Sequence, residues 1–263
     1  MKCSLIVTTY NWKEALELVL LSVLQQIKMP DEVIIADDGS DMETRLLIEK
    51  YIKIFPIPLI HSWQEDSGFR LSHSRNKAIS LSKYEYIIIS DGDMILDKNF
   101  VRDHYSCAKK GKYVQGSRVL MLSTISKKIL FEKKMMKLSF FSKDIKNRLN
   151  LLYIPLLKYY FCMQENQKLK RIRGCNFSLY KKDIIKVNGF NEDFITWGQE
   201  DSEFVQRLYN IGMVRSNLKF GAIQYHIYHK EGTNNNSNIK ILQNTIDTKL
   251  IYCENGINKY FSQ

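Results

Sequence analysis

Apolar positions through the first ninety residues alternate between two patterns. Short continuous apolar runs at 3–8, 32–36, 59–60 and 86–90 read as buried strands, the last being the most β-branched stretch of the chain. Between them lie three stretches with helical spacing. One runs from 14 to about 26, with Leu16, Val19, Leu20, Val23 and Leu24 on its apolar face. The second runs from about 42 to 55, with Leu46, Leu47, Tyr51 and Ile54. The third covers 70–82, with Ser72 or Ser74 as N-cap. Pro30, Pro56 and Pro58 punctuate them. Strand–helix alternation of this kind predicts an α/β fold, a mostly parallel sheet covered by helices on both faces.

In such sheets ligands bind beyond the carboxyl ends of the strands. Three of these strands end in polar clusters: Thr8-Thr9-Tyr10-Asn11, Asp37-Asp38-Gly39-Ser40 and Asp91-Gly92-Asp93. The pattern points to one shared site. Further on, 176–180 reads as a strand, 182–187 and 200–209 as helices, 233–238 as a loop, and the last residues as a helical tail.

Charge alters the picture in the middle of the chain. Lys and Arg number 39 against 28 Asp and Glu, a net charge of +11, and most of the excess falls between 127 and 171. There, twelve cations face three acids, interrupted by Phe140-Phe141, Tyr153 and Tyr159-Tyr160-Phe161. This reads either as a lobe meeting an acceptor or an anionic membrane surface, or as a solvated helical insertion whose aromatics form its own core. The five Cys, never spaced C-x-x-C, read as reduced cytosolic thiols. The N-terminus lacks the features of a signal peptide and no run of 18 apolar residues appears, so the expected location is the cytoplasm.

Chemistry concentrates in two motifs. In Asp91-Gly92-Asp93 two carboxylates flank a glycine just after a buried strand, and hard divalent cations prefer such oxygens when phosphates complete the shell. Taken alone it also fits a solvated acidic turn; the two other polar strand ends favour metal. Asp38 offers a carboxylate to a base N–H or ribose hydroxyl, although Asp-Gly is equally a common turn. Arg75 fits a clamp on a diphosphate or a contact with a base carbonyl. No G-x-G-x-x-G and no P-loop is present, so phosphate charge falls to a metal and basic side chains. In Trp197-Gly198-Gln199-Glu200-Asp201 an aromatic wall stands beside two carboxylates at a helix start. With Gly189-Phe190-Asn191-Glu192 and Gly174-Cys175-Asn176, it reads as an acceptor site with a base. His226 and His229 close the segment, structural residues or further metal ligands.

These residues, in this order, resemble the nucleotide-sugar half of family-2 glycosyltransferases with the GT-A fold: residues 4–11, 36–40, Arg75-Asn76 and 90–93. Residues 174–201 resemble the acceptor half of bacterial chondroitin-polymerase-type enzymes and of β-1,4-galactosyltransferases. The resemblance implies a single GT-A domain over 1–231, with a nucleotide-sugar half at 1–100 and an acceptor and catalytic half at 172–231. Between them lies a basic, largely helical insertion at 115–171, and a tail follows at 232–263. It implies that Thr8, Tyr10 and Asp38 line the base and ribose pocket and that Arg75 contacts the nucleotide. Asp91 would lie near the ribose or donor sugar, with Gly174 and Asn176 beneath that sugar. Asp93 and His226, with His229 as a further choice, would hold Mn²⁺ or Mg²⁺. Asp201 would be the catalytic base, Glu200 would hold hydroxyls, and Trp197 with Gly198 would form the acceptor platform.

The reaction so implied is an inverting transfer of a hexose or N-acetylhexosamine from a UDP-sugar, Gal or GalNAc preferred, to a glycan or lipid-linked glycan such as lipopolysaccharide or capsule. Peripheral contact with the inner membrane face is part of that expectation, and nucleic acid is not. Two other classes stay in play: a sugar-nucleotide-forming nucleotidyltransferase, which needs a Gly-rich phosphate loop near the N-terminus, and a basic nucleic-acid binder, whose binding face the acidic clusters would occupy.

Overall fold

The computed structural model describes residues 1–134, 136, 138–230 and 236–261. Its first half follows the predicted alternation: β1 Cys3–Thr9, α1 Lys13–Leu24, β2 Glu32–Asp37, α2 Met42–Ile52, β3 Leu59–Trp63, α3 Leu71–Leu81 and β4 Tyr86–Asp91. Then come β5 Met94–Leu96, α4 Phe100–Cys107, β6 Lys112–Gln115, β7 Val119–Met121, α5 Ser123–Glu132, β8 Ile145–Lys146, α6 Pro155–Met163 and β9 Glu165–Asn166. The second half holds β10 Asn176–Tyr180, α7 Lys181–Lys186, α8 Glu200–Asn210, β11 Val214–Asn217, β12 Gln224–His226 and α9 Asn236–Asp247.

Among the described residues, eight strands form the main sheet in the order β3-β2-β1-β4-β10-β6-β11-β9. β3, β2, β1 and β4 run parallel. β10 runs antiparallel to β4, with Asn176 opposite Ser90 and Tyr180 opposite Tyr86. A smaller sheet, β5-β12-β7-β8, stands beside it. α1 is wedged between the two. Its Leu16, Val19, Leu20 and Val23 join the core under the main sheet, while Ala15 and Leu18 pack with Ile95, Val119 and Ile223 of the small-sheet core. Each buried leucine or valine here contributes about 1.5–3 kcal/mol by leaving water, so α1 fixes the two sheets against each other.

Several expectations need correcting. α2 buries Thr44, Ile48 and Tyr51, whereas Leu46 and Ile54 are 57 % and 56 % exposed. The sequence offers two apolar stripes, and the sheet takes the one that continues into Phe55. α3 starts at Leu71 after Arg70 with no side-chain cap, and Ser72 and Ser74 are buried inside its first turn. α9 begins at Asn236, so the expected loop ends earlier; residues 231–235 lie outside the described ones. The thiols are not all reduced: Cys107, at the end of α4, is bonded to Cys162 of α6. Those two helices lie side by side on the sheet, a proximity that linear spacing does not reveal. The basic segment 115–171 carries α5, α6 and a 3-10 turn at Arg148–Leu151, and its short strands β7, β8 and β9 join it to both sheets.

Candidate active site

The polar ends of β1, β2 and β4 meet at a cleft of about 400 Å³. Of the residues singled out in the sequence, Thr8, Tyr10, Asp38, Asp91, Asp93, Trp197, His226 and His229 line it. Parallel pairing brings them together, since Thr8 lies opposite Ala36 on one side and Asp91 on the other. Thr8 Oγ1 donates to Asp91 Oδ1 at 2.9 Å. Asp38 accepts from Gln64 Nε2 at 2.6 Å and from the Arg70 amide at 2.8 Å; burial still pushes its pKa up. Its neighbour Asp37 is fully buried and serves the fold, accepting from the Ser40 amide and His61. Tyr10 stands half exposed at the rim, its hydroxyl on Asp66.

Gly92 makes the turn between the two aspartates possible. Its amide donates to the Thr8 carbonyl at 2.6 Å, and a Cβ there would sit 2.5 Å from that oxygen. The turn delivers Asp93 to the small sheet, where β12 and the residues after it present two imidazoles. Asp93 Oδ2 lies 3.2 Å from His226 Nε2 and 2.9 Å from His229 Nε2, and the two nitrogens are 3.0 Å apart.

Three ligand atoms on a triangle of this size suit one divalent ion. Ligands about 2.1 Å from an ion and at right angles to each other lie about 3.0 Å apart. Asp93 Oδ1 is buried without a hydrogen-bond partner, so it too is free to serve as an oxygen ligand. Burial opposes ionisation of Asp93, but hydrogen bonds from the two histidines outweigh it and hold the carboxyl well below its usual range. The same contact pushes His229 up to about 8.

Behind the cleft lies a second charged group that the sequence did not assemble. Arg75 is 1 % exposed on α3. Its Nη1 donates to Asp201 Oδ1 at 2.7 Å and its Nη2 to Asp91 Oδ1 at 3.3 Å. Burial works against its charge, yet Asp201 and Asp91 raise its pKa above the usual arginine value. For Asp91, desolvation raises the pKa, Arg75 opposes, and the carboxylates of Asp93 and Asp201 add to the rise. Direct contact between Arg75 and a nucleotide would require this bridge to open.

Asp201 Oδ2 accepts from the Gly174 amide at 2.6 Å. A Cβ on Gly174 would lie 2.3 Å from Asp201 Oδ1 and 2.7 Å from Arg75 Nη2, so only glycine fits there. Glu200 is buried beside it and accepts from the Gly198 amide at 3.0 Å. Burial, reinforced by the Asp201 charge, pushes Glu200 up to about 7. Gly198 and Gln199, at φ +103° and +73°, bend the chain so that both carboxylates open α8. Asn176 is placed differently from the cleft residues: it is 1 % exposed, its amide held by His104 Nε2 at 2.8 Å and by the carbonyls of Ser117 and Ala222.

The sequence did not single out Trp12, Phe69 or Arg118, which also line the cleft. Trp12 sits one residue past the first polar cluster, and its ring meets His229 edge-on at 5.9 Å. Nor did it single out Asn238 of α9, 1 % exposed, which donates to the carbonyls of Gly198 at 2.7 Å and Thr196 at 2.9 Å and so fastens the Trp197 loop.

Comparison with known proteins agrees with this geometry. The family described as Glycosyl transferase family 2 matches residues 4–188, and the N-terminal domain of galactosyltransferase matches 162–230. An Escherichia coli chondroitin synthase is 27 % identical over 248 residues, covering 85 % of this chain and 34 % of that protein. A Pasteurella multocida hyaluronan synthase is 27 % identical over 243 residues, 85 % of this chain and 24 % of that one. The chain thus spans about a third or less of these two synthases. Among solved structures, S. aureus TarS 1-349 in complex with UDP-GlcNAc aligns at a TM-score of 0.65 with 17 % identity, covering 99 % of this chain and 69 % of that one, which shows the shared GT-A fold. Among the described residues no helix is long and apolar enough to cross a membrane. Three strand ends converging on one cleft, with a family match across well over half of the residues, make this chain a glycosyltransferase of family 2.

Proposed function

We propose that the chain transfers a hexose or N-acetylhexosamine from a UDP-sugar to a hydroxyl of a bacterial surface glycan, with inversion at the anomeric carbon and dependence on a divalent metal. The observation that carries this reading is the pairing of two charged groups at one cleft: the Asp93–His226–His229 triangle lining it, and behind it Asp201, gripped by Arg75 and Gly174.

Asp93, His226 and His229 would hold the ion. When bound, it supplies the positive charge that lets a diphosphate leave without a proton. Two imidazoles with one carboxylate favour Mn²⁺ over Mg²⁺, which prefers an all-oxygen shell. Thr8, Tyr10 and Asp38 would face the uridine, Asp38 with its carboxylate toward a base N–H or ribose hydroxyl. Asp91 and Gly174 belong to the floor under the donor sugar, Asn176 buttresses that floor from within the core rather than touching the sugar, and Trp197 with Gly198 belong to the acceptor side.

Asp201 takes the proton of the attacking hydroxyl. Arg75 and the Gly174 amide occupy one lone-pair site on each of its oxygens and leave others open to the acceptor. The grip of Arg75 also holds the carboxylate in a fixed orientation. One displacement on the face opposite the diphosphate inverts the anomeric centre. Arg75 acts here as a positioning residue that couples Asp201 to Asp91. Residues 1–100 and 172–231 act as the donor and acceptor halves of one domain, with 115–171 on the acceptor side. The likeness of 162–230 to a galactosyltransferase domain supports Gal or GalNAc as donor, and the synthase relatives support a polysaccharide acceptor.

A thermal-shift panel of UDP-Gal, UDP-GalNAc, UDP-Glc and UDP-GlcNAc with Mn²⁺ tests the reading. One donor should stabilise the protein only with metal present, and NMR of the product should show the inverted anomer. Equal stabilisation by every donor in EDTA, or a retained anomer, would overturn it.

A further inference from the structure

α6 is a surface helix turned inside out. Leu156, Tyr159, Tyr160 and Met163 share one face at helical spacing and are 86 %, 68 %, 58 % and 51 % exposed. The one charged side chain of the helix points the other way: Lys158 Nζ donates to Asp103 Oδ1 at 2.7 Å, and Asp103 is fully buried. A helix made to face water would carry the lysine outside and the leucine and tyrosines inside.

The helix cannot roll to correct this. Cys162 is bonded to Cys107 of α4. The amide of Ile154 donates to the Phe220 carbonyl, and Phe161 packs on the Phe220 ring at 5.6 Å. Its apolar stripe is therefore held outward by the fold. One cation accompanies it in space, and three more follow it in sequence. Lys219, exposed, lies over the Phe161 ring at 4.9 Å, and Lys168, Lys170 and Arg171 follow the helix as exposed side chains.

We propose that α6 docks this protein on an anionic lipid surface, its stripe lying in the interface while Lys219 beside it meets the headgroups. Leucine, methionine and paired tyrosines backed by cations are the composition that lies in such an interface, and each cation near an anionic leaflet adds to the attraction. A second copy of the chain would cover the same stripe only by bringing two segments with a nine-charge excess of cations together, which their repulsion opposes. The proposal is independent of the sugar-transfer reading.

Co-sedimentation of the full chain with vesicles tests it. Vesicles of phosphatidylcholine with 30 mol % phosphatidylglycerol (about a third anionic lipid) should pellet the protein, and pure phosphatidylcholine should not. Raising the salt should weaken the binding. The double variant Leu156→Ser with Tyr160→Ser, both exposed, should bind anionic vesicles at least about tenfold more weakly while keeping the thermal transition and UDP affinity of the parent. Absence of wild-type binding to the anionic vesicles, or unchanged binding by the double variant, would overturn the proposal. So would a dimer in sedimentation velocity that the double variant abolishes without any vesicle binding.

Discussion

Gly174 shows how much one missing methyl group decides. Alanine there drives a Cβ into both Asp201 and Arg75, and displacement of a reacting group by about an ångström costs about a hundredfold in rate. Gly174→Ala should therefore lower kcat by about that factor with UDP affinity unchanged, as steady-state kinetics and calorimetry would show. Asp201→Asn keeps the shape and removes the proton acceptor, so kcat should fall by about 10²–10⁴-fold while UDP still binds. Glu200 gives a pH signature. Its folded-state pKa is raised from 4.5 to about 7 by burial and then by Asp201, so between those values the folded protein holds a proton that the unfolded chain releases. Stability from this group falls as pH rises across that window, and Glu200→Gln should flatten the slope in urea titrations. The aspartates were legible in the sequence because each follows a strand or opens a helix. Arg75 was singled out as a candidate, but its partner Asp201 lies 126 residues away, a distance that no local pattern encodes.

At the scale of elements, the alternation of apolar runs and helical stripes carried β1, β2 and β4 nearly residue for residue, because strands buried on both faces leave an unambiguous signature; of the half-exposed β3 it caught only the first two residues. It failed at α2, where two apolar stripes compete and only the neighbouring sheet chooses between them. The tail was read as helical, and α9 is that helix, beginning after the residues matched by either family comparison; what the sequence did not signal is its contact with the Trp197 loop. Asn238 of that helix holds the carbonyls of Thr196 and Gly198. Asn238→Ala should leave buried acceptors unpaired and lower unfolding free energy by about 1–3 kcal/mol, measured by chemical denaturation. The bond between Cys107 and Cys162 closes a separation of 55 residues, and the chain-entropy account assigns such a loop about 4 kcal/mol. Cys162→Ser should lower the midpoint accordingly, and a reductant should lower the midpoint of the parent but not of the variant.

Across the whole molecule, the Asp93–His226–His229 triangle lies at the seam of the two sheets. Asp93 leaves the main sheet through the Gly92 turn, and His226 ends β12 of the small one. Mn²⁺ should thus raise the thermal midpoint of the protein even without nucleotide, since a ligand bound only by the folded state stabilises it. Asp93→Ala should remove that shift, read by calorimetry with and without EDTA. β10 contributes the other architectural decision. By running antiparallel beside β4, it enters the sheet at the end where β4 leaves, with Asn176 against Ser90. The proposed donor and acceptor sides are consequently riveted to adjacent strands of one continuous lattice of amide bonds. A chimera that grafts residues 172–230 of one such enzyme onto the front half of another should inherit a correctly spaced reaction gap wherever the arginine of α3 and the glycine ahead of β10 are retained together.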